Sequence, residues 1–191
     1  MGCASSNEAK EPKPKSNGNG KTAPDNGEPA PEPVVPKQNP YLSLTPKDVF
    51  SLKMSWKGIR RCLEETGTNT FKLLFETNPN YQTHYEKLKD ISVERLYTST
   101  AFLDHVNEFM ENVDTHVTEL DDAEKTHKNI KSFGQKQKKI DIPETFFKDL
   151  RDPLLKSIEQ TLGDRYTDRM RNIYEIFIDY YLKTMNEGYN S

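Results

Sequence analysis

The chain has 191 residues, a formal net charge of −3 at pH 7 and 30% charged side chains. This length suits one domain with an appendage, because a single core usually organises about 100–200 residues. The charge balance argues against nucleic-acid binding, and the sequence has no Cys/His finger spacing and no aromatic-basic RNA motif. Two cysteines, Cys3 and Cys62, are too few for a disulfide framework and are typical of a reducing compartment. No apolar run approaches the ~20 residues that span a bilayer, and no secretory signal is present.

The N-terminal segment is predicted to be a disordered tether. Residues 1–40 hold eight of the twelve prolines and, after Met1, only two aliphatic residues larger than Ala, Val34 and Val35. Such a segment cannot bury enough apolar surface to offset its ordering entropy. We therefore divide the chain into a disordered tail at residues 1–42 and a folded domain at residues 43–188.

The first residues of this tail match a lipidation motif. The opening Met-Gly-Cys-Ala-Ser-Ser exposes Gly2 for N-myristoylation once Met1 is removed, and places Ser6 at the favoured hydroxyl position. One myristoyl chain binds a membrane only marginally, and the tail lysines are balanced by acids, so Cys3 is the candidate palmitate acceptor. The sequence thus predicts a double anchor on the cytoplasmic leaflet of the plasma membrane. A chance match on a soluble tail is the alternative.

The first helical pattern is predicted to run from Thr45 to Gly67. Thr45 can cap a helix, Pro46 needs no amide donor there, and Asp48 can close a capping box. Apolar residues then recur at helical spacing at Val49, Leu52, Trp56, Ile59 and Leu63. A second, short helix carries Phe71, Leu74 and Phe75, and ends at Asn78-Pro79, which opens a polar corner through Tyr85 and Leu88.

The remaining patterns are also helical. The clearest amphipathic stripe consists of Phe102, Val106, Phe109, Val113, Val117 and Leu120. A further helix is predicted to start at Pro143 and to kink at Pro153. The last helix has a Thr167 cap and is expected to stop before Gly188. No useful run alternates with period two, so the predicted class is all-α with no sheet.

The order of these landmarks resembles the globin family, and more closely its neuroglobin and globin X branch. The resemblance covers about residues 43–187 and implies a globin fold of about six to eight helices. It rests on Leu44-Thr45-Pro46 leading to Ser55-Trp56-Lys57, Leu74-Phe75 before Asn78-Pro79, Tyr85 at the corner, Phe102-Leu103-Asp104-His105, and Ser132-Phe133-Gly134 followed by Ile140 and Ile142. The Met-Gly-Cys start also resembles the acylated start of globin X proteins.

The resemblance implies a haem b cofactor held between a distal and a proximal histidine. His105 falls on the distal position and is the candidate iron ligand. The proximal position falls on Gln137, and a carboxamide is a poor ligand for iron. Phe109, one turn after His105, would crowd a bound gas. The resemblance places three further residues beside the cofactor, namely Tyr85, Phe133 and Ile142.

Several of these residues also have structural interpretations. His105 is either a haem ligand or a histidine at the edge of an apolar face with a satisfied hydrogen bond, and Gln137 is either a pocket residue or a solvated helix residue. We interpret His84, His116 and His127 as surface or boundary residues. Residues 125–139 contain six lysines and no acid. This segment is either a solvated face or a surface that rests on an anionic membrane.

Two functions follow from these residues. The first is a membrane-anchored haem globin for oxygen or redox sensing or signalling, with His105 as its main iron ligand and no role in oxygen storage. The alternative is a haem-free globin-fold signalling or scaffold module whose cavity is empty or holds an apolar ligand. An enzyme is not expected, because the sequence has no nucleophile-base pair, phosphate loop or metal-ligand spacing. Either function is compatible with a signalling protein as partner, which no motif identifies.

Overall fold

The computed structural model describes residues 39–143 and 145–191. This part of the chain contains eight α-helices and no strand, which confirms the predicted all-α class. The helices are α1 (Pro46–Arg60), α2 (Leu63–Thr77), α3 (Asn80–Thr83), α4 (Val93–Leu96), α5 (Thr100–Thr118), α6 (Ala123–Lys136), α7 (Phe146–Leu162) and α8 (Asp168–Tyr189). Short 3₁₀ turns at Gln137–Lys139 and Gly163–Arg165 follow α6 and α7. The predicted lipidation residues Gly2 and Cys3 lie outside the described residues.

The start of α1 is confirmed, but its predicted end at Gly67 is wrong. Thr45 Oγ1 accepts the Asp48 amide at 3.2 Å, and the Asp48 carboxylate accepts the Thr45 amide at 3.3 Å, which completes the capping box. The helix ends at Arg60, and Gly67 lies inside α2. A Cβ at Gly67 would lie 2.5 Å from Met110 and 2.6 Å from a Val106 methyl group. The glycine therefore permits close packing of α2 on α5 and is not a helix terminator.

The last helix also continues past its predicted stop, because α8 passes through Gly188 and ends at Tyr189. A Cβ at Gly188 would meet the Lys131 carbonyl oxygen at 2.0 Å, and one at Gly134 would meet the Met185 carbonyl oxygen at 2.1 Å. These two glycines, one on each helix, let the backbones of α6 and α8 touch. The contact fixes α6 firmly against α8.

The helix α7 begins three residues after the predicted start at Pro143 and runs without interruption through Pro153. Its inner side buries Leu150 and Leu154 completely. This burial on both sides of Pro153 favours a continuous helix despite the amide donor that proline lacks.

Aromatic side chains fill much of the core and connect its helices. Trp56, Phe102, Tyr174 and Tyr181 are all essentially buried. The Trp56 indole donates to Asp114 at 2.8 Å and thereby ties α1 to α5. No helix in the described part of the chain is long and apolar enough to cross a bilayer.

Candidate functional site

A small apolar cavity lies among α2, α5, α6 and α7. Its volume is about 20 Å³, which is room for about one water molecule. All six residues that the sequence assigns to a cofactor line it, namely Tyr85, His105, Phe109, Phe133, Gln137 and Ile142. The structure thus brings the predicted set together from four separate segments, while the binding of a cofactor by these residues stays a prediction.

The imidazole of His105 sits near the start of α5 between two aromatic rings. Its ring centroid lies 4.8 Å from that of Phe71 and 4.5 Å from that of Tyr85. The Nε2 atom is buried and has no hydrogen-bond partner among the described residues, so the interpretation with a satisfied hydrogen bond does not hold for this atom. Burial lowers the pKa of His105 to about 4, and the ring is therefore neutral at pH 7.

Aromatic rings occupy the space next to His105. Phe71 and Phe109 meet edge to face at 5.4 Å, and Phe146 and Phe147 do the same at 5.6 Å. Such edge-to-face pairs are favourable beyond the area they bury. The sequence did not single out Phe146 and Phe147 as site residues, although both line the cavity. Their adjacent positions at the start of α7 indicated only a buried helix face.

The segment that leaves α6 forms one wall of the cavity. Gln137 lies at the end of this helix, is half-buried and lines the cavity. Beyond it, the Ile142 amide donates to the Tyr189 hydroxyl at 3.2 Å, and this hydroxyl donates to the Ile140 carbonyl at 3.0 Å. Hydrogen bonds from the end of α8 therefore hold the wall in place.

The residues around the cavity fit only one half of a haem site. His105 offers a neutral, unpartnered nitrogen, which suits a metal ligand. The segment that leaves α6 offers the carboxamide of Gln137, which suits iron poorly. A cavity of about 20 Å³ is also far below the several hundred cubic ångströms of typical cofactor pockets. The described residues contain no group of three or more His, Cys, Asp or Glu side chains that could hold a metal ion.

The other histidines lie away from the cavity. The prediction that His116 is a surface or boundary residue is wrong, because only 2% of this residue is exposed. Its Nδ1 lies 2.7 Å from the Asn112 carbonyl oxygen, and its ring centroid lies 5.9 Å from that of Tyr181. His84 and His127 are half-buried boundary residues, as predicted.

Comparisons with known proteins agree with this arrangement of helices. The model of the globin family matches residues 68–185. Neuroglobin of Dissostichus mawsoni is 26% identical over 140 residues, and neuroglobin-2 of Oncorhynchus mykiss is 28% identical over 145 residues. Each of these alignments covers 71% of this chain and 88% of the relative.

Two solved structures extend the similarity to the fold. A hexacoordinated haem protein from an anhydrobiotic tardigrade superposes with a TM-score of 0.76 at 28% identity, over 81% of this chain and all of that one. The haemoglobin of the botfly Gasterophilus intestinalis superposes with a TM-score of 0.67 at 16% identity, over 78% of this chain and all of that one, and shows the shared fold alone. The matched family model and the superposed helices establish that this chain belongs to the globin family.

Proposed function

We propose that this globin is a non-enzymatic signalling or scaffold module with a small, haem-free pocket, anchored to a membrane by lipid. The observation that carries the haem-free proposal is the chemistry of Gln137, whose carboxamide, a poor ligand for iron, lines the cavity where the resemblance predicts the proximal histidine. Opening this cavity to a macrocycle would separate the rings of Phe71, Phe109, Phe146 and Phe147, and so lose the contacts that they make in the core. No proximal imidazole compensates for this loss. The module is thus unsuited to oxygen storage.

A haem-linked sensing function is the second candidate, and His105 is the observation that favours it. Its Nε2 is buried without a partner, and burial without a hydrogen bond is costly in a core that has no ligand for this nitrogen. The 28% identical tardigrade structure is that of a hexacoordinated haem protein. Under this candidate function, His105 would supply the imidazole ligand to the iron of haem b, and Tyr85, Phe133 and Ile142 would contact the cofactor.

Hemin titration of the purified full chain distinguishes the two functions. The proposed function predicts far less than one haem per chain and a Soret band close to that of free hemin. A neuroglobin, titrated in parallel, is the positive control. Tight, stoichiometric uptake by the unmodified protein that is lost in His105→Ala would overturn the haem-free proposal and support haem-linked sensing.

A second titration tests whether Gln137 stands where the proximal ligand belongs. We expect Gln137→His to increase haem affinity and to give the spectrum of a six-coordinate, low-spin, bis-histidyl haem with His105. Phe109→Val in the same background should increase affinity further, because it makes room over the ring. The matched control is Gln135→His, since Gln135 is an exposed glutamine in the last turn of the same helix. Equal effects of the two Gln→His changes would show that the assignment of Gln137 is wrong.

The membrane anchor rests on Gly2 and Cys3 in the sequence. A myristoyl chain alone binds marginally, so the adjacent thiol supplies the second signal for the cytoplasmic leaflet. We expect Gly2→Ala to release the protein from the membrane fraction of cells, and Cys3→Ser to weaken its retention. Ser5→Ala, which alters the same tail but neither acceptor, is the control. Unchanged membrane retention of Gly2→Ala would contradict the anchor.

A further inference from the structure

We propose that this globin forms a symmetric dimer through the outer side of α1, so that its partner is a second copy of this chain. The contact surface consists of an exposed stripe along the helix and a groove beside it. The α1 stripe runs along the helix to its C-cap and is formed by Lys47, Phe50, Met54, Lys57 and Arg61. The dimer requires neither haem nor a lipid anchor, and it therefore goes beyond the proposed function.

The centre of the α1 stripe is apolar and open to solvent. Phe50 and Met54 lie four residues apart and are therefore neighbours on one side of the helix. They are 64% and 46% exposed, respectively. The core side of α1 buries Leu52 and Ile59 instead, so the packing of the helix requires neither exposed side chain. Adjacent large apolar side chains that stay exposed mark a candidate interaction surface.

The α1 groove runs beside this stripe, between the first half of α1 and the corner that joins α5 to α6. Its volume is about 990 Å³. Its apolar lining includes Tyr41, Leu44, Val49, Phe50 and Leu120. Phe50 thus belongs to both the stripe and the groove, and a second α1 that crosses the first at Phe50 would bring its own apolar side chains to this lining.

The rim of the α1 groove has an excess of negative charge. It carries one lysine and three acids, namely Lys53, Asp121, Asp122 and Glu124. Lys53 pairs with Asp121 at 2.5 Å, and the adjacent Lys125 is engaged in an ion pair of its own. Neither Asp122 nor Glu124 forms an ion pair with a described residue, although Asp122 caps α6 by accepting the Lys125 amide at 3.1 Å. Glu124 is therefore the rim acid that is available to a partner.

The ends of the α1 stripe are positively charged. Lys47, Lys57 and Arg61 are exposed, and none of them forms an ion pair with a described residue. A partner with charges of one sign would match either these cations or the acidic rim, but not both. A second copy of the chain carries both sets, and complementary charges across an interface favour one specific partner.

An antiparallel crossing of two α1 helices at Phe50 brings the two sets of charges together. The groove lies along the half of α1 that precedes Phe50, and this half faces the half that follows Phe50 in the other copy. Lys57 lies seven residues, or about 10 Å, beyond the crossing point, and so extends toward the rim that carries Glu124. Two-fold symmetry makes every such contact occur twice.

Sedimentation equilibrium of the full Gly2→Ala chain, which lacks the acceptor for myristate, tests the dimer. We expect a monomer–dimer equilibrium that depends on protein concentration. Phe50→Ser should weaken dimerisation on the order of 100-fold, because symmetry removes its apolar contact twice. The matched control is Val93→Ser, since Val93 on α4 is an exposed apolar residue to the same extent, at 61% against 64% for Phe50. This control should leave the equilibrium unchanged.

Charge reversal tests the pairing of the stripe with the rim. Lys57→Glu and Glu124→Lys should each weaken dimerisation on the order of tenfold at low salt. An equimolar mixture of the two variants should recover the affinity, because in the mixed dimer the two reversed charges face each other and so do the two native ones. A mixture of Glu124→Lys with Lys148→Glu, which reverses an exposed lysine of α7, is the control and should not recover it.

Three results would overturn the proposal. The first is a chain that stays monomeric up to about 0.1 mM, which would leave the α1 groove to another occupant. The second is an equal effect of Phe50→Ser and Val93→Ser, which would indicate non-specific apolar association. The third is a mixture of the two charge variants that does not recover. Because the assay contains neither haem nor an acyl chain, these results are independent of the hemin titration and of membrane fractionation.

Discussion

Acidification from pH 7 to pH 5 is expected to destabilise the fold through His105. Burial holds its pKa at about 4 in the folded protein, against about 6.5 in an unfolded chain. The unfolded chain therefore takes up the proton first as the pH falls. The contribution of neutral His105 to the free energy of unfolding is therefore complete above about pH 6.5, decreases as the pH falls, and is fully lost below about pH 4. The difference between the two pKa values corresponds to about 3 kcal/mol of unfolding free energy in total, of which about 2 kcal/mol is lost between pH 7 and pH 5.

Urea unfolding at pH 7 and pH 5, followed by far-ultraviolet circular dichroism, measures this effect in the unmodified protein and in His105→Phe. The variant should lose about 2 kcal/mol less stability on acidification. It should also be about 1 kcal/mol more stable at pH 7, because phenylalanine removes the unpartnered Nε2. Burial also lowers the pKa of His116, so part of the pH dependence should remain.

The control for this experiment is His127→Phe, since His127 is half-buried at the boundary and lies outside the cavity. This change should leave most of the pH dependence intact. If the unmodified protein and His105→Phe lost the same stability between pH 7 and pH 5, the burial of His105 as a neutral ring would be refuted.

Three further changes test a helix contact, a hydrogen bond beside the cavity and a helix cap. Gly134→Ala should lower the free energy of unfolding by several kcal/mol, on the order of a severe overpacking change, because its Cβ would meet the Met185 carbonyl oxygen at 2.1 Å. Thermal unfolding measures this loss. An unchanged Tm would contradict the close approach of α6 and α8. Tyr189→Phe should lower stability by about 1 kcal/mol per lost hydrogen bond. It should also speed hydrogen exchange at the Ile142 amide, because this amide donates to the Tyr189 hydroxyl at 3.2 Å. Unchanged exchange would argue against a role of Tyr189 in holding the Ile142 segment. Thr45→Ala should cost about 1 kcal/mol through loss of the α1 cap, measured by urea unfolding, whereas Thr45→Ser should cost little.

The candidate site shows where sequence reasoning succeeds and where it stops. The ordered landmarks placed His105, Phe109 and Gln137 together, and the structure brings them to one cavity. The landmarks did not identify Phe146 and Phe147, because helical periodicity indicates which side of α7 is buried but not which space that side fills. The same limit led to the error at His116, which lies next to the apolar stripe of α5.

The glycines show the same limit in the fold. The sequence pattern predicts helix ends at Gly67 and Gly188, because glycine is a common terminator. Both lie inside helices at points where another helix comes within contact distance. A glycine that ends a helix and one that admits a neighbouring backbone look alike in sequence, since the neighbour comes from a distant segment.

The sequence by itself determined the all-α class and the Thr45 cap, because each depends on local spacing. Its resemblance to globins predicts His105 at the distal position and Gln137 at the proximal position. Only the tertiary structure decided that the cavity is small and that Nε2 of His105 has no hydrogen-bond partner in the described part of the chain. These properties depend on the angles and distances at which α2, α5, α6 and α7 pack, and on rings contributed by separate segments. Their physical cause is close packing, which no single stretch of the chain specifies.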